Sequence, residues 1–131
     1  MQIGVESARA VENRRIFVVD QDEIVRAALQ FMLHDENETH ELASLTAAIE
    51  KAVNWPPDVI VLGNAVLAAE GLPVLEQLAD ALPRTRLLVV GTDQDPLATK
   101  ALAAGAHGRI PLPLKLEAVR AVVDTVLGRD T

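Results

Sequence analysis

Three short runs of the chain, Ile16–Val19, Val59–Leu62 and Leu87–Val90, are apolar at every position and rich in β-branched residues. A strand with one wet face alternates polar and apolar residues. A run that is apolar throughout suits a strand covered on both faces, as in a parallel sheet. Thr39–Ser44 alternates and predicts an edge strand, and Gly108–Ile110 predicts a short fifth strand after the Gly105-Ala106 turn. Between these runs the apolar positions fall at helical spacing. Val25, Ala28, Leu29 and Met32 form one stripe after Asp22, with Glu23, Arg26 and Gln30 off it. Leu45–Val53 predicts a second helix, capped by Ser44 or Thr46. Gly71–Leu82 predicts a third, with Leu75, Leu78 and Leu82 in line. Asp95-Pro96 opens a fourth, which ends near Ala104 with Gly105 behind it. The last begins near Leu114 and turns Val119, Val122, Val123 and Val126 inward. Strands alternating with helices in this way specify an α/β three-layer sandwich with right-handed crossovers.

Composition narrows the chemistry. The 131 residues suffice for one domain with a real core. Phe17, Phe31 and Trp55 are the sole aromatics, so that core is aliphatic and offers no stacking platform for single-stranded nucleic acid. The net charge of −7 opposes binding to phosphate backbones and anionic membranes. The absence of cysteine excludes disulfides, thiolate metal sites and thiol nucleophiles, and fits a reducing cytoplasm. No apolar stretch has bilayer length, and Met1–Arg14 lacks the apolar middle of a signal peptide, so it is expected to be an N-terminal arm before a domain spanning 15–128.

In open parallel sheets ligands bind beyond the carboxyl ends of the strands. The residues there are Asp20-Gln21-Asp22-Glu23, Gly63-Asn64, Gly91-Thr92-Asp93 and Pro111-Leu112-Pro113. No glycine-rich phosphate loop follows the first strand, which disfavours dinucleotide and nucleoside-triphosphate sites.

Ile16-Phe17-Val18-Val19-Asp20-Gln21-Asp22 resembles the opening strand of a response-regulator receiver domain, the CheY-like family of two-component signalling. Pro57-Asp58-Val59-Ile60-Val61-Leu62 is similar to that family's third strand, and Gly71-Leu72-Pro73-Val74-Leu75 to the start of its third helix. Ala104-Gly105-Ala106 and Pro113-Leu114 match the turn and the proline that bracket its fifth strand. The register holds from Arg15 to Leu127. The resemblance implies a flavodoxin-like (βα)5 fold with strand order 2-1-3-4-5. It also implies a site in which two acids and an acceptor Asp hold Mg²⁺ for phosphoryl transfer, aided by a hydroxyl and a lysine.

Position by position, the site residues diverge from that pattern. The first acid is Asp20, but the second position is Gln21 and the acceptor position is Gly63. The hydroxyl position is Gly91, with Thr92 one residue on, and the lysine position is Leu112. The aromatic switch position falls on Arg109. The neighbouring Asn64 is an amide whose side chain strand alternation would send to the other side of the sheet. Asp20 is then the one remaining candidate for a metal, and a hard divalent cation is not expected at a single carboxylate. The peptide bond before Pro113 is expected to be cis, as the resemblance implies.

Other residues have plainer readings. Asp22 and Glu23 suit the start of the first helix, and Asp93 and Asp95 suit a solvated loop and a cap. His34, His40 and His107 lack metal-ligand spacing. Trp55, ahead of two prolines, is expected to plug the bottom of the sheet. Arg109, Lys115 and Arg120 mark either a solvated face or the face of fourth helix, fifth strand and last helix that receivers use for dimers and effectors.

These readings predict a non-enzymatic receiver domain that signals through a protein partner, a neighbouring domain or a homodimer, without cofactor, nucleic acid or membrane. One alternative is an N-terminal pseudo-receiver module of a larger protein, such as a ParA/MinD-like pilus-assembly ATPase or a transcription factor. Another is a small-molecule binder that uses volume cleared by Gly63 and Gly91 beside Leu112.

Overall fold

A computed structural model describes residues 14–129. Met1–Asn13 of the expected arm lie outside the described residues, and Arg14 already joins the fold by accepting the Glu38 N–H through its carbonyl at 2.9 Å. The strands are β1 (Arg15–Val19), β2 (Glu38–Leu42), β3 (Val59–Leu62), β4 (Arg86–Val90) and β5 (Gly108–Ile110). They form one parallel sheet in the order β2-β1-β3-β4-β5. The helices are α1 (Glu23–Leu33), α2 (Leu45–Asn54), α3 (Asn64–Glu70), α4 (Pro73–Ala81), α5 (Pro96–Ala103) and α6 (Leu116–Leu127).

The unbroken apolar strands are explained by two separate cores, one on each face of the sheet. Ile16, Val18, Val59, Val61, Leu88, Val90 and Ile110 pack under α1 and α6, against Leu29, Leu33, Val119 and Val123. Their neighbours Phe17, Val19, Ile60, Leu62, Leu87 and Val89 point the other way, against Ala48, Val66, Leu75, Leu78 and Ala101. Each strand therefore serves both layers through its period of two.

Three details depart from the sequence expectation. An additional helix, α3, occupies Asn64–Glu70, which the periodicity left as part of a connection. It spans seven residues, too short for a stripe to register, yet it buries Val66 and Leu67 and ends at Gly71 with φ 82°. The last helix starts at Leu116, two residues later than expected, with Lys115 as its N-cap. Trp55 does not plug the sheet. It is 54 % exposed at the end of α2, and the Arg15 guanidinium carbon lies 5.2 Å from its ring centroid.

Candidate functional site

Parallel register brings the carboxyl ends of the central strands level. Val19 lies opposite Leu62, and Leu62 opposite Val89. Asp20, Gly63 and Gly91 therefore emerge along one edge of the sheet, tied by short backbone bonds. The Gly63 N–H donates to the Val19 carbonyl at 2.9 Å, and the Gly91 N–H to the Ile110 carbonyl at 3.0 Å.

Asp20 is the buried acid of this edge, 2 % exposed. Its Oδ1 accepts the Asp22 N–H at 3.0 Å, and its backbone carbonyl accepts Arg26 Nη1 at 2.8 Å. Burial pushes its carboxyl above the usual range. The Asp22 N–H opposes this, the Asp22 charge adds to it, and the Gln21 N–H and Arg26 charge oppose it. Arg26 is a feature that sequence reading passed over. It lies on α1 and also pairs with Glu41 at 3.2 Å.

The Asp20 carboxyl leans over Gly63. A Cβ built on Gly63 would overlap that carboxyl and come within 2.8 Å of the Asp20 Cβ. Gly91 is confined less tightly, a Cβ there standing 2.8 Å from the Ala98 Cβ and 3.1 Å from Asp95 Oδ2. The volume that two glycines were expected to clear for a ligand is therefore filled by Asp20 on one side and by α5 on the other. A cavity of about 380 Å³ lies instead beneath the amino ends of β3 and β4, lined by Pro56, Asp58, Leu82, Pro83 and Arg84 among others.

Asn64 does not face away from this edge. The chain turns into α3 at that point, so strand alternation no longer governs its direction, and its Nδ2 donates to Asp95 Oδ2 at 2.6 Å. Asp95 also caps α5 as expected, its Oδ1 accepting the Leu97 N–H at 2.9 Å. Arg109 folds inward from β5 and donates from Nη1 to the Gly91 carbonyl at 2.8 Å. Gln21 and Thr92 are exposed beside the edge, as is Pro113, while Leu112 is half-buried above the Ile16 core. The Leu112-Pro113 peptide bond is cis.

The donor set does not fit a magnesium ion. Asp20 already gives one oxygen to a backbone N–H, Gln21 is neutral, and Asp22 Oδ1 accepts from Ile24 and Val25 to cap α1. Among the described residues no three His, Cys, Asp or Glu side chains come together as metal ligands. The three histidines are dispersed. His34 lies beside Asp35, His40 bonds Glu38 at 2.8 Å, and His107 Nδ1 accepts the Leu87 N–H at 2.9 Å.

The basic residues of the expected interaction face diverge. Lys115 is exposed and Arg109 turns toward Gly91. Arg120 instead crosses to α1, where its Nε donates to the Met32 carbonyl at 3.2 Å and its Nη2 stands 3.5 Å from Asp35. Its spacing on α6 could not reveal that the α1 end lies within reach.

The fold and the level strand ends define a receiver-type α/β domain. The family model of the response regulator receiver domain matches residues 16–124, and the chain belongs to that family. It is 35 % identical over 121 residues to the response regulator MprA of Mycobacterium ulcerans, covering 88 % of this chain and 50 % of that protein. It is 30 % identical over 120 residues to the DNA-binding transcriptional activator DevR/DosR of Mycobacterium tuberculosis, covering 88 % and 55 %. A crystal structure of a response regulator from Thermotoga maritima superposes with a TM-score of 0.79 at 19 % identity, over 88 % of this chain and 98 % of that one. The chain spans about half the length of the curated relatives it matches.

Proposed function

We propose that this receiver domain signals through protein–protein contact without being phosphorylated on an aspartate. The observation that carries the reading is Gly63. It stands directly after β3, where the family resemblance puts the acceptor, and a glycine has no oxygen for a phosphoryl group to join. The seated Asp20 carboxyl and the poor metal donor set support the same reading. Its work is then binding rather than catalysis, in the cytoplasm. None of the described helices is long and apolar enough to cross a membrane.

The partner is a protein, a neighbouring domain or a second copy, and the surface of α5, β5 and α6 is the one proposed. Leu102 of α5 is 40 % exposed and Leu116, next to Lys115 at the start of α6, is 42 % exposed. The half-length match to larger regulators also supports a second reading, in which this domain is the regulatory module of a longer protein.

The test is phosphoryl incorporation. The chain is incubated with radiolabelled acetyl phosphate and Mg²⁺ beside a phosphorylatable receiver. No acid-stable, hydroxylamine-labile label is expected on this chain, and stoichiometric label would overturn the reading.

A further inference from the structure

Three contacts gather the ends of β3, β4 and β5 and the start of α5. Asn64, the first residue after Gly63, donates to Asp95 Oδ2 at 2.6 Å across 31 residues of sequence. The other oxygen of that carboxylate holds the first turn of α5 through the Leu97 N–H. A single side chain thus receives the β3 end on one side and fixes the helix on the other. Beside it, the Gly91 carbonyl accepts Arg109 Nη1 at 2.8 Å, which ties the end of β4 to β5. The absence of a side chain at Gly91 lets Ala98 of α5 settle against the strand, where even a methyl group would meet it at 2.8 Å. Ala98 and Ala101 are fully buried, so α5 has no slack on its inner face.

We propose that the Asn64–Asp95 and Arg109–Gly91 hydrogen bonds form a permanent latch that holds α5 and β5 in one arrangement, so that the output face is presented without any covalent signal. The latch rests on the reading that Gly63 takes no phosphoryl group, and it names how that site is regulated. The bond to Asp95 is charge-assisted and short, which places it among the stronger hydrogen bonds. Asn64 and Asp95 are positioning residues, since they act on the face through α5.

Amide hydrogen exchange on the full chain tests the latch, comparing the wild type with Asn64→Ala, Asp95→Ser and the pair. Serine keeps an oxygen to cap α5 but is too short to meet Asn64, so it removes the link and spares the cap. Each single variant is expected to speed exchange of the amides at 97–103 by about tenfold, equal to about 1.4 kcal/mol. The β3 amides at 59–62 should be unchanged. The double variant should exchange no faster than the singles, because both remove the same bond. Arg109→Gln should raise exchange at 108–110 and at 97–103 together. Changes below twofold, additive effects of the pair, or loosening confined to the mutated residue would overturn the latch. Phosphoryl labelling is read separately: a labelled chain whose variants still exchange faster overturns the functional reading alone, and an unlabelled chain whose variants exchange as the wild type does overturns the latch alone.

Discussion

Replacement of Gly63 by alanine tests whether the Asp20 carboxyl occupies the volume above that glycine. Gly63 has φ −66° and ψ 159°, an extended conformation open to any residue, so backbone strain cannot contribute. On unfolded-chain entropy alone Gly63→Ala would be stabilising by about 0.4–1 kcal/mol. The new Cβ, however, overlaps the Asp20 carboxyl and lies 2.8 Å from the Asp20 Cβ, and both residues are buried. Overpacking of this kind costs about 1–3 kcal/mol. At 2 kcal/mol, Tm should fall by about 8 °C for a domain of this length. In an Asp20→Ala background the carboxyl is gone and only the 2.8 Å contact between Cβ atoms remains, so the same methyl should cost less than it does in the wild type. The double-mutant cycle should then give a coupling that is a measurable part of that cost of about 1–3 kcal/mol, the part due to the carboxyl. Urea denaturation followed by far-UV circular dichroism measures it, since the single Trp55 is already exposed and is a poor probe of unfolding. Gly63→Ala as stable as the wild type, with no coupling to Asp20, would show that the carboxyl swings away freely and would refute the packing argument.

Three further outcomes follow from the same geometry. Asp20 has a folded-state pKa above its ordinary value, so the charged form lowers stability at neutral pH, and the wild type gains stability as pH falls through that pKa toward 3.8. Asp20→Asn should therefore melt higher than the wild type at pH 7 and lose that advantage near pH 4, and an advantage that widened in acid would contradict the sign. Glu38 has the opposite shift, because Arg15 and then His40 hydrogen-bond its carboxylate and hold its pKa below 4.5. Its contribution is complete above pH 4.5 and is lost as pH falls through the lower folded value, so the Tm deficit of Glu38→Gln measured at pH 6 should shrink steadily as pH falls below 4.5. Gly91→Ser, which restores a hydroxyl at the end of β4, should destabilise by about 1–3 kcal/mol in urea melts because its Cβ meets Ala98 at 2.8 Å.

The layers were legible because both cores print on the strands. Ile16 and Val18 serve one face while Phe17 and Val19 serve the other, and such a run can hardly sit anywhere except mid-sheet. Capping was legible too, since Asp22, Ser44 and Asp95 hold their helices through contacts within three residues. Contacts across the chain were not. Asn64 reaches Asp95, Arg109 reaches Gly91 and Arg120 reaches Met32, over separations that no local pattern encodes. The helical turn at Asn64 also overrode the strand alternation from which its direction was inferred. Trp55 misled for a different reason, because a large apolar ring satisfies itself in part against the Arg15 guanidinium and need not be buried.

The two glycines at the strand ends have one physical consequence between them. A glycine at the end of a central strand leaves space where another residue would put a side chain, and voids next to a packed core cost stability unless the surroundings close on them. At Gly63 the closing group is Asp20, the acid that a receiver would use for its metal. At Gly91 it is Ala98 of α5. An aspartate introduced at position 63 faces two obstacles. Its carboxylate would have to displace Asp20, and at about 4 Å two like charges repel by about 4 kcal/mol at an effective dielectric constant of 20. Gly63→Asp should therefore remain unlabelled by acetyl phosphate and unfold at lower urea than Gly63→Ala. Efficient labelling of that single variant would mean that the surroundings still retain the geometry of a working site.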